Sequence, residues 1–250
     1  TVAIRMLGAD LASDLDRRDQ ILERARRAAA LSHPNIAALY EVGQDEGRPF
    51  LVYEFAAGEP LSAIIGGQRL NPRRAIDLGT QIADALAAAH ADDFPCGALT
   101  AAHVIVTPKG NAKILDFGLA AVASGARADN EADLHALGGL LFEMLTGEPY
   151  AGVMDGLLPA NLAPIVSKAL GAGGRYESAA TIAADLRAVA AELDARAAAA
   201  PPSDAPVVVR QAEQARRRAS GWIWIAAAAG GLARVARRPF SQTAPLEKSR

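Results

Sequence analysis

The sequence predicts an α+β fold, because strand-like apolar runs crowd into its first 55 residues and helical periodicity fills most of the rest. Its 250 residues, 51% of them hydrophobic and 22% charged, suffice for one large core or two small ones. VAIRML, residues 2–7, reads as a strand, followed by a helix from about Asp14 to Leu31. Ser32-His33-Pro34 stops that helix, since a residue before proline is pushed out of the helical region. Two further strands are expected over Ile36–Val42 and Pro49–Phe55, separated by Gln44-Asp45-Glu46-Gly47. From Asn71 the pattern turns helical: Leu78, Ile82, Leu86 and Ala89 lie on one face of a helix ending near His90. Val104–Val106 and Ala112–Leu115 flank Thr107-Pro108-Lys109-Gly110-Asn111 as a small hairpin. Leu134, Leu137, Leu141 and Met144 mark a second buried stripe, and Ile182, Leu186, Val189 and Leu193 a third.

The net charge of -2 gives no global field for nucleic acid, and there is no basic patch before residue 210. A lone cysteine, Cys96, excludes an internal disulfide and suits a reducing, cytoplasmic setting. Thr1 to Arg5 carry neither a charged leader nor a long apolar run, so no signal peptide is expected there, and the missing initiator Met suggests a fragment. Residues 197–218 read as a Pro/Ala/Arg-rich juxtamembrane linker ending in Arg216-Arg217-Arg218. The apolar segment 219–233 follows, then a basic tail, 234–250. Fifteen uncharged residues rise only about 22 Å as a helix, short of the roughly 30 Å hydrocarbon core. Trp222 and Trp224 suit an interface, so membrane association at the inner face and a soluble tail both stand open for this segment.

In order and in register, several blocks resemble the protein kinase superfamily, most closely the bacterial serine/threonine kinases of eukaryotic type. They are VAIRML, RARRAAALSHPNI, FLVYEF, LGTQIADALAAAH, VIVTPKGNAKILDFGLA, ADLHALGGLLFEMLTGEPY and IVSKALGAGGRYESAATIAADLR. The resemblance implies a bilobal kinase-like domain over 1–196: a sheet-rich N-lobe (1–55), a hinge (54–58) and a helical C-lobe (59–196). The family's first strands and glycine-rich phosphate lid would precede Thr1, outside this sequence.

Carried over position by position, the resemblance places the nucleotide-phosphate lysine on Arg5 and its helix glutamate on Arg24, one residue after Glu23. Two facing guanidinium groups would repel by an order of 1–4 kcal/mol at 4 Å and swing the helix outward. Ala3 and Ile105 fall where adenine is sandwiched, Glu54 and Ala56 on the hinge backbone that binds its edge, and Tyr53 on the gatekeeper. Asp116, in Asp116-Phe117-Gly118, matches the metal-binding aspartate, which makes it the weak candidate for Mg²⁺ or Mn²⁺ beside a nucleotide. The catalytic loop departs most. Cys96-Gly97-Ala98-Leu99-Thr100-Ala101-Ala102-His103 stands where such kinases show His-Arg-Asp-Leu-Lys-Pro-x-Asn. The catalytic base position is Ala98, the lysine becomes Thr100 and the metal-binding asparagine His103. Loss of general-base help alone removes roughly 10²–10⁴ in rate.

Only Leu119–Ala132 separates Gly118 from Asp133, and no Ala-Pro-Glu occurs there, so the family partner of Arg175 is replaced or absent. Asp133 resembles the aspartate that accepts backbone hydrogen bonds from the catalytic loop. His103 reads first as a satisfied surface histidine, with a two-ligand site for a softer ion beside Asp116 as the alternative; Cys96 reads as a core filler, and Asp92 and Asp93 as solvated loop charges. The implied function is a pseudokinase that binds another signalling protein, with ATP as a weakly supported ligand. The rivals are a divergent active serine/threonine kinase and a degenerate remnant.

Overall fold

In the computed structural model, which describes residues 1–7, 15–45, 48–119, 128–154 and 156–199, the expected order of elements is present. Strand β1 (Val2–Met6) pairs antiparallel with β3 (Arg48–Glu54), which pairs with β2 (Leu39–Asp45) on its other side. Register sets what each β1 side chain can reach. Ala3 lies opposite Tyr53 and Arg5 opposite Leu51; because Tyr53 and Leu51 are buried, alternation turns Ala3 and Arg5 to the inner face. Val2, Ile4 and Met6 take the outer face and are exposed.

Helix α1 (Leu15–Ala28) buries Ile21, Ala25 and Ala28, spaced four and three apart. It ends three residues before the expected Leu31, because Ala30 and Leu31 bond to Arg27 and Ala28 in a tightened turn. Strand β2 begins at Leu39 instead of Ile36, since residues 35–37 pair elsewhere. Ala37 N donates to Ile114 O at 2.9 Å and Ile114 N to Asn35 O at 2.8 Å. Asn35, buried although polar, donates from Nδ2 to Gln81 Oε1 and Ala112 O, so it ties the entry of the first sheet to the second.

That second sheet orders β4 (Glu59–Pro60), β5 (Val104–Val106) and β6 (Ala112–Ile114), with β5 central and the 3₁₀ turn Ala101–His103 leading into it. Sequence periodicity does not foresee β4, the 3₁₀ turn or the short helices α2 (Leu61–Ile65) and α5 (Ala163–Ala169), which are too brief to show a period. The long helices follow their patterns. Helix α3 (Pro72–Ala91) starts at Asn71, whose side chain accepts from Arg73 N, with Pro72 at the first position. Helix α4 (Asn130–Thr146) is capped by Asp129, which accepts from Ala132 N, and ends on Gly147. Leu78, Ile82 and Leu86 of α3, Leu137 and Leu141 of α4, and Ile182 and Leu186 of α6 (Ala179–Ala199) are all fully buried in one core. No helix among the described residues is long and apolar enough to cross a membrane, and segment 219–233, the linker end and the basic tail lie outside those residues.

Candidate functional site

Strand β6 ends at Ile114 and delivers Asp116-Phe117-Gly118 to the space below the first sheet. Asp116 has φ 51° and Gly118 φ 76°, so two left-handed residues bracket buried Phe117 and turn its ring inward. That turn suits glycine at 118 for a second reason: a Cβ there would lie 2.4 Å from Cε1 of Phe94. Phe117 stacks on Phe94 with ring centroids 6.3 Å apart and planes 19° apart.

The Asp116 carboxylate is ion-paired with the guanidinium of Arg5, which reaches it from the inner face of β1. The Asp116 side chain is only 18% exposed, whereas that of Arg5 is 43% exposed, so the cation keeps contact with solvent. Beside them lies the buried hydroxyl of Tyr53. Burial, and then the neighbouring Asp116 carboxylate, push its ionisation well above the usual phenol range, yet the hydroxyl makes no hydrogen bond of ordinary geometry.

The expected confrontation of Arg5 with Arg24 does not occur. Arg24 turns instead to the loop: Nε donates to Gly118 O, Nη2 donates to Pro95 O at 2.8 Å, and the guanidinium sits 4.8 Å above the Phe94 ring. Burial and then Arg27 lower its pKa, while Asp133 and Cys96 oppose the shift. Arg27 lies 5.1 Å from the same ring and donates to Asp93 O at 3.1 Å and, at the limit of bonding, to Asp92 O at 3.5 Å. Helix α1 is therefore held inward by arginines on carbonyl oxygens and an aromatic face, with no glutamate involved. Glu23 cannot substitute: it is exposed and pairs with Arg26 at 3.1 Å.

The catalytic-loop segment rests on Asp133. Its buried carboxylate accepts from Cys96 N and Gly97 N, each at 2.7 Å, and meets His90 Nε2 at 2.8 Å. Asp133 thus has the loop-anchoring geometry its position implies. Cys96, whose carbonyl accepts from Gly118 N at 3.1 Å, is buried, and burial followed by Asp133 pushes its thiol from 9.0 up to about 12, as befits a core filler. Ala98 presents a methyl group where the resemblance puts the base, and its carbonyl oxygen lies 2.8 Å from His103 Nδ1. A carbonyl only accepts, so Nδ1 is the donor in this contact. Thr100 Oγ1 lies 3.1 Å from the same Nδ1.

At the hinge, Glu54 N donates to Ala38 O at 2.8 Å and its carboxylate meets Lys113 Nζ at 2.7 Å. Burial works to raise the Glu54 carboxyl, but the Lys113 and Ala38 N–H hydrogen bonds outweigh it and hold the group below its usual range. Ala56 and Ile105 are half-buried, while Ala3 is exposed. Arg175 pairs with Glu131 of α4, so its partner is different and not absent. Asp92 and Asp93 are exposed. The structure thus brings Arg5, Asp116 and Tyr53 together. Sequence reading missed the Arg24–Phe94–Arg27 cluster and the Glu54–Lys113 pair. Arginines 24 and 27, three apart on one helix face, and an apolar Phe94-Pro95 inside a polar loop were the available signals.

Residues 1–136 match the family described as "Protein tyrosine and serine/threonine kinase". The chain belongs to this family. It is 30% identical over 176 residues to the serine/threonine-protein kinase PrkC of Bacillus subtilis, covering 60% of this chain and 27% of that protein. To the serine/threonine-protein kinase PknB of Mycobacterium tuberculosis it is 28% identical over 265 residues, 85% of this chain and 41% of that one. The chain therefore spans well under half the length of these relatives. Among solved structures it resembles the Mycobacterium tuberculosis PknI kinase domain, with TM-score 0.65 and 22% identity over 75% of this chain and 85% of that one, which shows the bilobal kinase fold.

Kinases of this family typically use ATP with Mg²⁺. The metal fits these residues poorly: the one matching carboxylate, Asp116, is engaged by Arg5, and an imidazole replaces the second oxygen ligand. Among the described residues there is no group of three or more His, Cys, Asp or Glu side chains able to hold a metal ion. A nucleotide fits better, with small Ala3 and half-buried Ile105 at the adenine positions and Arg5 as a cation for phosphate.

Proposed function

We propose that this chain is a pseudokinase, a kinase-fold module that does not transfer phosphate and acts by binding another signalling protein. One observation carries the reading: Ala98, with its methyl side chain and its carbonyl bonded to His103, stands at the position of the base. Phosphoryl transfer depends on placed charges, and here each has changed or been diverted: lysine to Arg5, asparagine to His103, and Asp116 to an internal ion pair. The contacts that only hold the fold, such as those of Asp133, are intact. Retention of the scaffold without the chemistry supports a binding role. Segment 219–233 would then hold the module at the cytoplasmic face of a membrane, a reading that rests on sequence alone.

The test is incubation of the whole chain with γ-labelled ATP, Mg²⁺ or Mn²⁺ and a generic protein substrate. No label above the level of the Asp116→Ala variant is expected. Label that depends on Asp116 would support the second reading, an active kinase, which the relatives' names favour.

A further inference from the structure

The pairing of Arg5 with Asp116 bears on which ligand the cleft takes. Register fixes Arg5 on the inner face of β1, two residues from Ala3, with Tyr53 on the neighbouring strand. Asp116 is nearly enclosed and held at φ 51°, so its carboxylate is presented to Arg5 by the backbone instead of finding it by chance. Arg5 remains 43% exposed, and a guanidinium has five N–H donors, more than one carboxylate can occupy. The hinge carboxylate, Glu54, has its own cation in Lys113. Asp116 and Glu54 are thereby each neutralised from within.

We infer that Arg5 is the fixed cation of this cleft: it stands against Asp116 where the family places a divalent ion, and a nucleoside polyphosphate binds to it without metal, in competition with Asp116. A divalent ion must displace a guanidinium to reach Asp116, and the position of the family's second oxygen ligand carries an imidazole, His103, a poor exchange for Mg²⁺. A phosphate has the opposite preference. It matches the planar donors of Arg5 in charge and geometry, and each N–H it takes loosens the hold on Asp116. The inference rests on the reading of the cleft as one without phosphoryl transfer, and it adds the ligand class and its metal dependence.

The experiment is a thermal-shift titration of the full chain with ATP in EDTA, repeated with Mg²⁺ and with Mn²⁺. ATP in EDTA is expected to raise the melting temperature, and neither metal to increase that rise. Asp116→Asn releases Arg5 from its internal partner, so metal-free ATP should bind about fivefold or more tightly to that variant. Arg5→Met should abolish the shift and Arg5→Lys should keep part of it. If Arg5→Met does not melt cooperatively, the Asp116→Asn comparison decides. A shift that needs metal, weaker binding by Asp116→Asn, or no shift with ATP in any arm would each overturn the inference. None of these outcomes bears on transfer itself, which the labelling experiment reads separately.

Discussion

Arg24 donates from Nη2 to the carbonyl oxygen of Pro95 at 2.8 Å, joining a helix of the N-lobe to the loop that precedes the catalytic segment. With its second bond, to Gly118 O, and the Phe94 ring beneath it, this arginine ties helix α1 to the loop through backbone carbonyls and an aromatic face. Arg24→Ala should lower stability in urea by about 2 kcal/mol, the scale of charge-assisted bonds at a half-exposed site. Arg24→Glu, although it restores the family residue, should cost more than alanine. Its carboxylate would meet two carbonyl oxygens that have no proton to offer and would add negative charge near Asp133.

Asp133 satisfies two backbone N–H groups of the catalytic segment from a position only 1% exposed. Asp133→Ala should cost about 3–5 kcal/mol in denaturant unfolding, because it strands buried donors that water cannot reach. The loop carrying Ala98 should loosen first, read as faster amide exchange at Cys96 and Gly97 than in the long helices.

Gly118 and Gly110 both have positive φ, 76° and 84°, but a Cβ at 118 would strike Phe94 while one at 110 has nothing within 4 Å. Gly110→Ala should therefore cost about 1 kcal/mol, from backbone strain alone. Gly118→Ala should cost roughly 2–4 kcal/mol, since it adds a collision with the ring that carries both arginines. Thermal melts of the two variants against wild type would separate the terms.

Cys96 gives a dependence on pH with a defined sign. Its folded thiol is raised from 9.0 to about 12, so below pH 9 both folded and unfolded forms are protonated and the thiol does not tilt the equilibrium. Between about pH 9 and 12 only the unfolded chain ionises, and stability should fall by about 1.4 kcal/mol per pH unit from this group. Cys96→Ala should flatten that part of the profile. At pH 8 the native thiol should resist a disulfide reagent and react fully only in denaturant.

The long elements were legible because their cores repeat: Leu78, Ile82 and Leu86 lie on one buried face of α3, as their spacing requires. The ends were less so, because backbone pairing with distant residues moved them. Ile36 left its expected strand to pair with Ile114, 78 positions away, and no local pattern contains that bond. The site divides similarly. Motif order drew attention to Arg5, Asp116 and Asp133, but charge counting at Arg5 and Arg24 predicted repulsion where the structure has two separate anchors. Each guanidinium found an acceptor, one a carboxylate and the other a pair of backbone carbonyls, and carbonyl acceptors leave no trace in the sequence.

The claim on which the account depends is that no group here relieves an attacking hydroxyl of its proton. Phosphorus-31 NMR of the full chain with MgATP and a serine-containing peptide follows the γ-phosphate directly. The account predicts that the ATP signals persist at the rate seen with Asp116→Ala. Phosphoserine appearing in the wild-type sample and absent from Asp116→Ala would contradict it.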